Sequence, residues 1–307
     1  MNRSAPDVLP LDVAVAPDVP EIVPGLVADL LILTKARLST LVLVTTFVGF
    51  CMASRDSIDW LLLLHTLLGT ALVAGSAAVL NQVFETNVDR LMERTKGRPL
   101  PAGRMKAVRA LRLGISLAAA GLLYLALAVN WLTACLAAAT LGIYLCLYTP
   151  MKRRTSFCIM IGAISGAIPP VIGWTAARPS INAGAWILFG VLFLWQIPHF
   201  LAIAWMYRDE YAQAGFIMLR RNDICGVKTA TESFLFTIAL SLLTMVPAIT
   251  GRATAAYLVG ALAFDAILLG CATQFLLRRT RPSARKLFFA TIIYLPCLLG
   301  LMVFTKA

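Results

Sequence analysis

Within residues 81–104, NQVFETNVDRLMERTKGRPLPAGR, the polar side chains Asn81, Glu85 and Asp89 recur at every fourth position. On a helix that spacing stacks all three on one face. Two carboxylates and an amide oxygen suit a hard divalent cation such as Mg2+, which commonly takes one or two carboxylates and completes its shell with substrate phosphates. Basic residues follow directly: Arg90, Arg94, Lys96, Arg98 and Arg104. Arginine grips phosphate oxygens with a planar fork, and lysine acts as a point charge. Taken alone, such a run is more often a solvated loop than a ligand site. A second cluster reverses that balance. The stretch 207–221, YRDEYAQAGFIMLRR, sets Asp209 and Glu210 between Tyr207 and Tyr211 and closes on Arg220 and Arg221. Between the two clusters lies YTPMKRRT at 148–155, where Tyr148 and Lys152 are four apart and able to address one phosphate. Membrane anchoring explains Arg153 and Arg154 equally well.

The scaffold that must position these groups is written in the composition. The chain has 307 residues, 60% hydrophobic and 14% charged, with mean hydropathy +0.82. That balance belongs to an integral membrane protein and excludes a soluble one. The net charge of +12 does not indicate nucleic acid, because the basic residues sit in short loops between apolar spans rather than on one polar face. Seven cysteines without CxxC spacing read as small core residues, not disulfides or metal ligands.

Apolar segments near 38–54, 60–84, 107–129, 131–148, 157–177, 183–206, 231–250, 254–277 and 287–304 are each about the ~20 residues that cross a bilayer. Residues 1–24, with five prolines and several acids, are expected to be a disordered cytoplasmic tail without signal-peptide character, and 25–307 the transmembrane domain. Only Arg55, Arg178, Arg252 and Lys306 among the 27 basic residues fall on one side of the predicted spans. The other side, which carries the N-terminus and both acidic clusters, is therefore expected to be cytoplasmic. Both clusters follow the second span of a four-span stretch, a pattern that suggests a parallel tandem repeat around a shared cavity.

The remaining polar positions read differently from one another. His65, in the half of its span away from the clusters, is expected to be a hydrogen-bonded core or interfacial residue. His199 in WQIPHF lies ten residues before Asp209, ~15 Å along a helix. It could be a haem-iron ligand, a proton donor or a polar core residue. Gly162 and Gly166 with Pro169-Pro170 predict a closely packed, kinked helix without catalytic duty.

The blocks LTKARLSTLVLVTTFVGF, NQVFETNVDRLMERTKGRPLPAG, YTPMKRRT, GAISGAIPPVIGW, WQIPHF and YRDEYAQAGFIML occur in order across most of residues 30–220. Together they resemble the protoheme IX farnesyltransferase (haem O synthase) family of UbiA-type intramembrane prenyltransferases. The resemblance implies an all-α fold of nine transmembrane helices around a central cavity, and two acidic motifs that bind Mg2+ and an isoprenyl diphosphate. It also implies transfer of farnesyl from farnesyl diphosphate to the 2-vinyl group of haem b, in the plasma (inner) membrane with the site facing the cytoplasm. Asn81, Glu85 and Asp89 match the first motif and Asp209 and Glu210 the second, which implies catalytic and metal-holding roles for all five. Arg94, Arg98, Tyr148, Lys152 and Tyr211 match the basic and tyrosine positions around the diphosphate, and His199 falls on the haem side. Association with haem A synthase or with terminal oxidase assembly is a further implication.

Three positions depart from the family pattern. Glu85 and Glu210 stand where aspartate is usual, and Ala36 replaces a proline. Three other readings of the same residues are a related prenyltransferase acting on a quinone precursor or chlorophyll-type acceptor, a secondary transporter for an anionic metabolite, and a non-catalytic oxidase assembly factor.

Overall fold

The computed structural model describes residues 25–55, 57–220 and 222–306. The predicted tail, and Arg221, lie outside the described residues. The described residues form twelve α-helices and one π-helical turn: α1 Leu26–Leu33, α2 Ala36–Ala53, α3 Trp60–Asp89, α4 Ala107–Ala128, α5 Trp131–Gly142, the π turn Ile143–Tyr148, α6 Thr149–Met151, α7 Cys158–Ala177, α8 Ala183–Met206, α9 Arg208–Gln213, α10 Val227–Ile249, α11 Ala255–Arg278 and α12 Arg281–Phe304. Among the described residues nine segments are long and apolar enough to cross a membrane: α2, α3, α4, α5 continued through α6, α7, α8, α10, α11 and α12. The chain is a multi-pass membrane protein.

Two departures from the sequence-based spans matter for function. At 30 residues α3 is about 45 Å long, well beyond a hydrocarbon core of about 30 Å. The helix runs on through Glu85 and Asp89 instead of ending near 84, and its last turns carry the polar comb. The span at 131–148 likewise continues to Met151. Pro150 has no N–H to give and its ring crowds the carbonyl of Cys146, so the preceding turn widens into the π form that presents Tyr148 and Lys152.

Neighbouring helices pack in the order α3 on α4, α2 on α7, α7 on α8, α8 on α10, α10 on α11 and α11 on α12, with α12 touching α8 and α2. The α2–α7 contact is a backbone approach. A Cβ on Gly173 would meet the Thr46 carbonyl oxygen at 1.8 Å, and one on Gly49 would meet the Pro170 oxygen at 1.8 Å. Pro169 and Pro170 sit inside α7 without ending it. Gly162 makes room for the ring of Tyr148 and Gly166 for Gln196, so this glycine pair seats two side chains rather than a facing helix.

Candidate active site

The comb on α3 is buried. Asn81 is 0% exposed, Glu85 7% and Asp89 3%. Each has a specific partner, which is the condition for keeping polar groups there. Lys35 Nζ donates to Asn81 Oδ1 at 2.8 Å, and Asn81 Nδ2 donates to Thr149 Oγ1 at 3.2 Å. Lys152 Nζ reaches both Glu85 oxygens, at 2.9 and 3.2 Å. Arg98 Nη1 donates to Asp89 Oδ2 at 2.7 Å. Burial works against the Lys152 ammonium, but Tyr148 and Glu85 outweigh it and hold its pKa above the ordinary lysine value.

Local structure explains how these partners arrive. Lys35 takes a left-handed conformation, φ 48°, at the break between α1 and α2, which is uncommon for a side-chain-bearing residue and worth a reason. The reason on view is its bond to Asn81. Lys152 lies 4.6 Å over the Tyr148 ring and 5.8 Å from the Phe216 ring, and its carbonyl accepts from Ile217 N at 2.7 Å. The loop after α8 is thereby tied to the residue that holds Glu85. Arg104, one of the basic residues expected at phosphate, is instead clamped on Asp29 of α1 at 2.8 to 3.2 Å, so it fastens the loop to the bundle.

The second acidic segment meets the first at the same end of the bundle. Val88, Met92 and Ala214 form a small core with Tyr211 and Phe216. Arg94 lies 5.5 Å over the Tyr207 ring, with Nη2 3.4 Å from the Tyr211 hydroxyl. Asp209 on α9 is exposed and turned toward Arg281 at the start of α12, with Arg208 Nε at 3.8 Å. Glu210 beside it has no ion-pair partner among the described residues.

Among the described residues no three His, Cys, Asp or Glu side chains stand close enough to hold a metal by themselves. Glu85 and Asp89 are each drawn to a cation instead. Even so, the donors are carboxylate and amide oxygens without sulfur or imidazole, the set that a hard divalent cation takes. Lysine has three donors and arginine five, so Lys152 and Arg98 can hold their carboxylates and still offer hydrogen bonds to phosphate oxygens.

The histidines lie elsewhere. His65 Nδ1 is 2.7 Å from the Tyr124 hydroxyl between α3 and α4, the hydrogen-bonded core role read from sequence. His199 stacks on Trp195 and Phe288, each at 5.0 Å, with Nδ1 2.8 Å from Thr291 Oγ1. It belongs to the α8–α12 contact and touches none of the acidic residues. Sequence reasoning gave no role to Lys35, Thr149 or Arg281. Lys35 sits at a helix break and Arg281 at a helix start, and neither feature was read from the sequence.

The UbiA prenyltransferase family profile matches residues 42–293. A protoheme IX farnesyltransferase of Solibacter usitatus is 44% identical over 287 residues, covering 91% of this chain and 98% of that one. One from Opitutus terrae is 41% identical over 280 residues, covering 91% and 95%. Among solved structures, a digeranylgeranylglyceryl phosphate synthase superposes with TM-score 0.77 at 19% identity, covering 91% of this chain and 98% of the other. A UbiA homologue from Archaeoglobus fulgidus bound to DMAPP and Mg2+ superposes with TM-score 0.65 at 12% identity, covering 89% and 99%.

Proposed function

The chain belongs to the UbiA prenyltransferase family, and we propose that it transfers the farnesyl group of farnesyl diphosphate to the 2-vinyl group of haem b, giving haem O and pyrophosphate. The observation that carries the reading is the contact of Arg94 with Tyr211 beside the pairs Glu85–Lys152 and Asp89–Arg98. Acidic and basic groups from two distant segments meet at one end of an apolar bundle. That is what a diphosphate with a lipid tail requires.

In the reaction the C1–O bond of farnesyl diphosphate breaks, pyrophosphate leaves with the electron pair, and the vinyl π electrons capture the allylic carbon. Water then adds to the resulting cation and a proton is released, leaving a hydroxyethylfarnesyl side chain. Glu85, Asp89 and Asp209, with Asn81 and Glu210 alongside, are the residues that would hold Mg2+, which would supply charge neutralisation on the leaving diphosphate. Lys152, Arg98 and Arg94 donate to its oxygens where negative charge grows. Tyr148, under the Lys152 ammonium, and Tyr211, beside Arg94, position those two cations for the diphosphate. The apolar faces of the helices take the farnesyl tail and keep water from the allylic carbon.

His199 lies on the acceptor side in this reading. Its bond to Thr291 fixes the ring against α12, so His199→Ala should raise the KM for haem b and leave that for farnesyl diphosphate unchanged. Equal changes in both would remove it from the haem site. The site faces the cytoplasm of a plasma (inner) membrane because the basic residues crowd that end, and the product suits hand-over to haem A synthase or terminal oxidase assembly. The direct test is chromatography of haem after incubating the reconstituted protein with farnesyl diphosphate and haem b. Haem O should appear; unchanged haem b beside a prenylated quinone precursor would overturn the acceptor.

A further inference from the structure

The end of the bundle opposite the acidic residues holds a cavity of its own. Its volume is about 450 Å³, and it opens between the C-terminal ends of α2, α7 and α12, the start of α8 and the α10–α11 connection. Among the described residues four cationic side chains line it, Arg55, Arg178, Arg252 and Lys306, and no acidic one does. They are the very four basic residues that the sequence places on this side of the spans. Scattered anchoring charges would not converge on one cavity.

Several donors there are unspent. No ion pair to Arg55, Arg178 or Arg252 forms among the described residues. An adjoining cavity of about 270 Å³ shares Arg55 and Arg178 and includes Asp59. That carboxylate is engaged as the α3 cap, accepting from Leu62 N at 2.9 Å. Trp174, 7% exposed, lines the larger cavity, and its buried Nε1 has no hydrogen-bond partner among the described residues. Lys306 donates to the Cys51 and Ser54 carbonyls at the end of α2. Burial and the neighbouring Arg178 push its pKa below the ordinary lysine value. Like charges held together in a half-enclosed space, with donors left over, fit an anion.

Depth identifies which anion. Trp60, Trp131 and Trp186, at 67%, 73% and 60% exposure, stand at the starts of α3, α5 and α8 at this same end. Exposed tryptophans of this kind mark the headgroup level of a bilayer. Ile187 and Met302 add an apolar wall beside the cations. We propose that this cavity binds the phosphate headgroup of an anionic phospholipid. Arginine forks match a phosphate geometrically, and basic pockets between transmembrane helices are suited to such headgroups.

Titration of the full chain in neutral detergent with short-chain phosphatidylglycerol, phosphatidylcholine and inorganic phosphate, read by native mass spectrometry, tests this directly. Phosphatidylglycerol should bind at least about tenfold more tightly than phosphatidylcholine. Arg178→Gln with Arg252→Gln should lower phosphatidylglycerol affinity about 30-fold while leaving phosphatidylcholine unchanged. Should the double variant not remain monodisperse, Arg252→Gln alone, on an exposed connection, should give about a fivefold loss. Equal binding of the two lipids, or an unchanged affinity in the variants, overturns the site. Inorganic phosphate competing as well as the lipid overturns the assignment to a headgroup.

Discussion

Glu85 and Asp89 share a helix face but are held by cations of unlike kind, and the difference decides what each substitution does. Lys152 is a compact charge enclosed by Tyr148, Phe216 and Glu85. Removing it leaves a nearly buried carboxylate unpaired, so Lys152→Met should cost about 3–5 kcal/mol of stability. The double variant with Glu85→Gln should recover most of that loss, measured as thermal unfolding in detergent. Because the pKa of Lys152 is raised, its contribution is complete below the ordinary lysine value near 10.5 and fades only as pH rises through the higher folded value. Stability should thus show no Lys152 transition between about pH 6 and 9. Asp89 lies at the helix end with an arginine partner that also faces outward. Asp89→Ala should lower kcat by about 10²–10³ while the protein stays folded. Full activity in that variant would remove the comb from the chemistry. Sequence spacing was enough to pick out Glu85 and Asp89, since four-residue recurrence is a local property. The lysines that bond Glu85 and Asn81, Lys152 and Lys35, come from 67 and 46 positions away, and no local pattern encodes such a meeting.

At the scale of elements, two helices determine where the site sits. α2 and α7 touch through backbone at Gly49 and Gly173, and neither place has space for a methyl group. Gly173→Ala should therefore cost about 3 kcal/mol or more, whereas Gly270→Ala, with nothing within 4 Å, should be neutral or slightly stabilising. Comparable melting temperatures for the two variants would contradict the packing. The start of α10 depends on Asp223, which accepts from Lys228 N at 3.0 Å, Thr229 N at 2.7 Å and Thr229 Oγ1 at 2.6 Å. Burial opposes that charge, but these bonds outweigh it and hold the carboxyl below its ordinary pKa of 3.8. The stabilisation is present above pH 3.8 and is lost as pH falls through the lower folded value. Asp223→Ala should cost about 1–2 kcal/mol at neutral pH, and less in acid. Hydropathy located all nine spans because a run of apolar side chains is its own signal, although it began α12 at 287 where the helix starts at Arg281. It stopped short on α3 and at the π turn, where polar residues and Pro150 continue a helix that apolarity alone would end.

Across the whole molecule, charge separates into two ends with different tasks. One end gathers Lys35, Arg94, Arg98, Lys152 and Arg281 around the acidic segments. The other gathers its four cations around a partly apolar cavity that no carboxylate lines among the described residues. The positive-inside pattern visible in the sequence gives the count of charges on each side but not their convergence, which depends on how α2, α7, α8 and α12 close together. The intramembrane carboxylate Asp265 was equally hard to anticipate. It is 2% exposed and satisfied by Tyr294 at 2.6 Å and Thr244 at 2.7 Å, partners from two other helices that join α10, α11 and α12. The central claim is that the carboxylates of α3 and the loop after α8 hold one metal-bound diphosphate. Pyrophosphate release from farnesyl diphosphate by the reconstituted protein, with and without Mg2+ and haem b, measures it most directly. Release should require both additions and fall at least about a hundredfold in Asp89→Ala and in Asp209→Ala. Release that is indifferent to Mg2+, or unaffected by either substitution, would contradict the account.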